Sequence, residues 1–228
     1  MGRFAINPAV LATLLISTAI AFVAPFDVVF AAVTFGSPGL RMALIAAVVL
    51  AGTFCAGKVG LRLDGHGARW PVFAGLGGAI AVALYVAVID VVLFRSTLSA
   101  SYVASLHTPL NIRLSYFMLR AFNENVIYRL FVFSSLLYLL SLSNGSRNLT
   151  PAWIASAMVV AQVINIGLNV VIPSPDPITA TSIFYDLLRY VSPGVLWAWL
   201  FWRFGFITAE VASVGCHIFL QPMFSYLV

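Results

Sequence analysis

Seven apolar stretches, each long enough to cross a bilayer, recur along the chain and leave little between them. A hydrocarbon core about 30 Å thick calls for roughly 20 apolar residues in helical form. Marked off by clusters of Gly, Pro and charge, the stretches lie at approximately 8–32, 40–57, 71–94, 114–141, 151–172, 181–202 and 206–226, with six and eight as the neighbouring counts. Lipid offers no partner to a backbone N–H or C=O, so each stretch must satisfy its own and is expected to be helical. The expected fold is all-α: a polytopic transmembrane helix bundle forming a single integral membrane domain over residues 1–228. With 62% hydrophobic and only 8% charged residues, no soluble domain of useful size is left over.

The net charge of +5 does not point to nucleic acid, because no basic cluster or basic stripe with interleaved aromatics is present. It reads instead as topology. Lys and Arg collect in cytoplasmic loops, and Lys58, Arg62 and Arg69 after the second stretch form the densest basic segment. Placing that loop in the cytoplasm brings Arg3, Arg147 and Arg203 to the same side and leaves Arg41, Arg95, Arg113 and Asp176 opposite. The N-terminus is then cytoplasmic and the C-terminus external.

Arg3, the apolar run after it and Ala19-Ile20-Ala21 resemble a secretory leader, but the run continues to about Val33, longer than a leader's apolar region. A retained first transmembrane helix is expected. Cys55 and Cys216 both fall in apolar stretches without metal-ligand spacing, and no structural disulfide is expected from them. Ser96–Pro109 is too polar to span, yet Leu98, Tyr102 and Leu106 recur every four residues, as in a helix lying at the membrane interface.

Ionisable and amide side chains within the apolar stretches mark candidate function, because hydrocarbon penalises them unless they face a bundle interior or a wet cavity. The fourth stretch holds Arg120, Glu124, Asn125 and Arg129; the fifth holds Gln162, Asn165 and Asn169; the seventh holds Glu210, Ser213, His217 and Gln221. At about 100° per residue the members of the fifth set share one helix face, as do those of the seventh. Glu124, Gln162 and His217 each come about eleven residues after the start of their stretch, which allows them to meet near the bilayer centre. The bland reading is that such groups only join helices through interhelical hydrogen bonds worth about 1 kcal/mol each. That suits the amides of the fifth stretch better than a carboxylate and an imidazole. Arg120 lies four residues before Glu124 and can pair with it, while Arg129 points about 140° away from Glu124 but within reach of Asn125. Asp27, Asp90, Asp186 and Arg189 show no pattern beyond span ends or pairing across helices, and His66 and His107 sit in loops.

The run Glu124-Asn125-Val126-Ile127-Tyr128-Arg129, followed about ninety residues later by His217-Ile218-Phe219-Leu220-Gln221, resembles the CPBP family of type II CAAX-prenyl endopeptidases and bacteriocin-processing or Abi proteins. The resemblance covers residues 112–226, so 1–113 read as scaffold helices and 114–228 as a CPBP-like core. The family pattern has two glutamates, three residues and an arginine; then Phe-x-x-x-His; then His-x-x-x-Asn. Here Glu124 and Arg129 match, whereas Asn125 stands for the second glutamate. Met158-Val159-Val160-Ala161-Gln162 replaces both defining residues of the second motif, and His217 is kept with Gln221 for asparagine.

The resemblance implies Glu124 as general base, His217 with Gln221 as the pair that stabilises the oxyanion, and Arg129 and Gln162 at the remaining motif positions. An amide at 162 cannot take up a proton as histidine does, and losing a positioned acid or base costs about 10² to 10⁴ in rate. Two readings follow. One is a glutamic-type intramembrane endopeptidase acting on a lipidated or transmembrane peptide. The other is a non-catalytic relative that binds, assembles or protects a membrane-protein partner. A small transporter is a third class, but it calls for broken helices in two matching halves, which this sequence lacks. One imidazole and one carboxylate make a poor zinc set, so neither a metal nor another cofactor is expected, and membrane lipids are the expected surroundings. The expected location is the bacterial inner (cytoplasmic) membrane.

Overall fold

The structure, a computed structural model, describes residues 7–23, 37–64, 70–98, 100–145, 149–171 and 178–227. All regular secondary structure among them is helical. Arg3, Asp27, His66, Arg69, Arg147 and Asp176 lie outside the described residues.

The helices are α1 (Pro8–Val23), α2 (Pro38–Lys58), α3 (Trp70–Ala87), α4 (Ala100–Leu106), α5 (Leu110–Asn125), α6 (Ser134–Ser143), α7 (Pro151–Ile166), α8 (Ala180–Asp186), α9 (Ser192–Phe204) and α10 (Phe206–Leu227). Among the described residues, four π-helical segments, Val88–Leu93, Val126–Phe133, Gly167–Val171 and Leu187–Val191, extend or join them. Thus α5, a π segment and α6 form one unbroken helix of 34 residues, Leu110–Ser143. Within the described residues, each of the seven apolar stretches holds a continuous helix.

Among the described residues, four helices are long and apolar enough to cross a membrane: Pro38–Lys58, Trp70–Leu93, Leu110–Ser143 and Pro151–Val170. That is the build of a membrane protein, although the count is lower than seven. Pro8–Val23 is apolar but shorter, and α10 reaches the length while carrying Glu210, His217 and Gln221, which dilute its apolarity.

Local chemistry explains where the helices start and stop. Ser37 and Thr150 accept from the N–H groups of Leu40 and Trp153, each with a proline next, where its missing N–H costs nothing. Thr179 and Ser182 form a reciprocal capping box ahead of α8. Gly205, at φ 102°, is a conformation that side chains resist, and it separates α9 from α10. The first N–H groups of α10 are then taken by carbonyls from the α2–α3 loop: Phe206 donates to Arg62 at 3.0 Å and Ile207 to Leu63 at 3.1 Å.

The core forms around α10, which packs against α3, α5 and α9. Small residues let the backbones approach. A Cβ on Gly75 would stand 2.9 Å from Val211 Cγ1, and one on Gly215 would stand 3.3 Å from Ala79. Phe133, Phe201, Phe206 and Phe224 fill the interior, whereas Leu15, Phe73, Leu84, Val92 and Val163 face outward, as lipid contact requires. The segment around Tyr102 is helical, but Tyr102 and Leu106 turn onto the protein rather than lying on the interface: Leu106 is buried and Tyr102 packs edge-on to Phe224.

Candidate functional site: a buried polar seam

A π turn carries one residue more than an α turn and re-aims the side chains around it, which is why such turns gather at functional positions. Every one of the four π segments here carries a buried or half-buried polar residue: Asp90, Tyr128 with Arg129, Asn169, and Arg189 with Tyr190.

The first network joins the π segment after α5 to α7. Arg129 Nη2 donates to Gln162 Oε1 at 2.5 Å, and Gln162 Nε2 donates to the Tyr190 carbonyl at 2.9 Å. Asn165 Nδ2 reaches Gln162 Oε1 at 3.4 Å, and Asn169 Nδ2 reaches Asn165 Oδ1 at 2.5 Å and the Tyr128 hydroxyl at 3.0 Å. The face expected from Gln162, Asn165 and Asn169 therefore exists as a hydrogen-bonded ladder. Gly194 leaves the space that the Gln162 amide fills.

The second contact joins α5 to α10. Asn125 Nδ2 donates to Glu210 Oε2 at 3.2 Å, both side chains being buried. Asn125 is thus spent on α10 and not on Arg129. Next to it, Glu124 Oε1 accepts from Arg120 Nε at 2.8 Å, and the Glu124 side chain keeps 22% exposure. Arg120 Nη1 also donates to the Tyr116 hydroxyl at 3.4 Å.

His217 lies farther along. Its ring stacks on Phe117 with centroids 5.4 Å apart and an interplanar angle of 16°, and its Nδ1 has no hydrogen-bond partner. Because Arg113 donates to the Gln221 carbonyl, Phe117 stacks on His217 and Asn125 donates to Glu210, α5 and α10 run antiparallel in a fixed register. Glu124 is seven residues from Phe117, so about 10 Å of helix separates its level from that of His217. No hydrogen bond links any two of Glu124, Gln162 and His217. Gln221 is buried with Oε1 unpartnered.

A third cluster has no counterpart among the expected site residues. Asp90, fully buried, accepts from Arg189 Nε through both oxygens, at 2.8 and 2.9 Å. It also accepts from the Tyr185 hydroxyl at 3.0 Å and the Tyr102 hydroxyl at 3.2 Å. Arg189 donates further to the hydroxyls of Tyr190 and Tyr102 and lies over both rings, 4.7 and 4.8 Å from their centroids. The legible signal was one acid and one base, each buried in an apolar stretch where a charge needs a partner.

Among the described residues no group of three or more His, Cys, Asp or Glu is placed to hold a metal ion. Compared with known protein families, with curated proteins and with solved structures, the chain gives no match.

Proposed function

We propose that this chain is a non-catalytic relative of the CPBP endopeptidases, an integral membrane protein of the bacterial inner membrane that binds and stabilises a membrane-protein partner. One observation carries the reading. The two positions from which such an enzyme would activate water are occupied from within: Glu124 by Arg120 at 2.8 Å, and Gln162 by Arg129 and the Tyr190 carbonyl together. A general base must reach the proton it takes, with a site for water beside it. Here the polar groups instead brace α5, α7, α9 and α10 against one another, which leaves the apolar outer faces to meet lipid or another protein's helices.

Seven crossings, with the Arg62 end in the cytoplasm, belong to the same reading. All five tryptophans, Trp70, Trp153, Trp197, Trp199 and Trp202, lie toward the end at which α2 and α9 finish and α3, α7 and α10 begin. Lys58, Arg62 and Arg203 are exposed there. Tryptophan and basic residues together favour a lipid–water boundary on the cytoplasmic side.

The endopeptidase is the second reading. It is favoured by the residual exposure of Glu124 and by the unpartnered His217 Nδ1 and Gln221 Oε1. One reconstitution separates the two. Wild type and Glu124→Gln are placed in liposomes with prenylated and transmembrane peptide substrates, and the same proteins are purified in mild detergent from cells. The scaffold reading expects equal background cleavage and an equal stoichiometric partner. Cleavage by wild type that disappears in Glu124→Gln overturns it.

A further inference from the structure

Arg113 is a cation with no counter-ion among the described residues. Its side chain is 4% exposed, yet among the described residues no carboxylate lies within ion-pair distance. Its partners are neutral oxygens: Nη2 donates to the Gln221 carbonyl at 3.3 Å and to the Ser225 hydroxyl. Nε and Nη1 donate to nothing. Leaving a guanidinium unpaired in a low-dielectric interior is expensive, and the buried pair of Asp90 with Arg189 shows how fully such a charge is matched when its partner is internal. One structural role is evident, since a cation near the last turns of α10 suits their carbonyls. That role uses Nη2 and leaves the other two donors unexplained.

The level of Arg113 identifies the class of the missing partner. It sits in the first turn of a helix of 34 residues, about 51 Å long against a hydrocarbon core of about 30 Å. Both ends of such a helix reach the headgroup region. Ser225, whose hydroxyl accepts from Nη2, is exposed, so the guanidinium lies next to a residue at the protein surface. Beside it, the Gln221 amide oxygen is unpartnered and can accept from a headgroup hydroxyl or, turned over, donate to an anion.

We infer that Arg113, with Ser225 and Gln221 at the crossing of α5 and α10, binds a phosphate group, either of an anionic phospholipid headgroup or free. A planar guanidinium offers phosphate two parallel donors, which a zwitterionic surface with its own internal counter-charge engages less well.

The test uses the full chain, delipidated in detergent. Native mass spectrometry and tryptophan-monitored unfolding are run with phosphatidylcholine, with phosphatidylcholine containing phosphatidylglycerol, and with millimolar inorganic phosphate. Wild type is expected to retain phosphatidylglycerol and unfold at a higher temperature in its presence. Arg113→Gln is expected to bind it about tenfold more weakly, the loss of roughly one charge-assisted contact, and Arg95→Gln at the same end is expected to match wild type. If inorganic phosphate alone reproduces the shift, the ligand is the free anion and the site stands. Equal responses of wild type to all three additions, or of Arg113→Gln and wild type to phosphatidylglycerol, overturn it. Should Arg113→Gln fail to fold, Arg113→Lys is read instead: it keeps the charge but loses the planar fork, so severalfold weaker binding supports the site and unchanged binding overturns it.

Discussion

Gly194 on α9 and Gln162 on α7 occupy one space between them: a Cβ at residue 194 would stand 1.9 Å from Gln162 Cδ and 2.0 Å from its Oε1. The amide that binds Arg129 and the Tyr190 carbonyl reaches them only because residue 194 has no side chain. Gly194→Ala is therefore expected to expel the amide and break both hydrogen bonds, at a cost of about 2 kcal/mol, or about 4–8 °C in Tm. The same substitution in a Gln162→Ala background is expected to cost much less. Equal losses in the two backgrounds, read by thermal unfolding in detergent, would show that the two positions act independently.

Gly52 makes a comparable close approach, here to backbone. A Cβ on it would lie 2.7 Å from the Leu130 carbonyl oxygen, in the π segment that α2 packs against. Because backbone cannot step aside as a flexible side chain does, Gly52→Ala is expected to destabilise by about 1–3 kcal/mol. Gly57→Ala, with nothing within 4 Å on the same helix, serves as the control and is expected to be neutral or slightly stabilising, since alanine is the better helix former.

Breaking the Asp90–Arg189 pair from one side leaves a buried, unmatched charge. Asp90→Asn and Arg189→Gln are each expected to cost about 3–5 kcal/mol, and the double variant less than the sum of the two. Additive losses in a double-mutant cycle of thermal stabilities would show that the two groups are not coupled.

The Leu188 carbonyl faces a turn in which Pro193 has no N–H to give, and the Tyr85 hydroxyl donates to it at 2.8 Å instead. Tyr85→Phe removes that donor without changing shape. A loss of about 1 kcal/mol is expected, with faster amide exchange through Leu187–Val191. Unchanged exchange there would mean that the hydroxyl does not steady the turn.

Features carried by local spacing were the ones legible in the sequence. The apolar stretches coincide with helices, and Gln162, Asn165 and Asn169, spaced by three and four residues, do share a bonded face. The Arg120–Glu124 pair is equally local. Depth was harder to read. Counting about eleven residues from each start puts Glu124 and His217 at one level only if the spans begin at matching depths, whereas the helix bearing Glu124 runs from Leu110 to Ser143 and lies antiparallel to α10. The pairing of Asn125 with Glu210, and of Asp90 with Arg189 far along the chain, depends on which helices become neighbours, and periodicity within one helix carries nothing about that. The π turns are silent for another reason: a slipped hydrogen bond adds a residue without altering composition.

The central place of α10 bears on how the protein is made. Of the helices described, α10 is the last to leave the ribosome, yet it supplies the surface on which α3 and α5 close. Until it arrives, Asn125 has no carboxylate to bind, Arg113 has no carbonyl, and the glycine-lined face of α3 has no neighbour. A nascent chain at that stage exposes polar groups to lipid, which is the condition that membrane chaperones and quality-control proteases recognise. Assembly of this bundle thus waits on the emergence of α10, and the interval between the emergence of α5 and that of α10 is when the chain is most vulnerable to degradation.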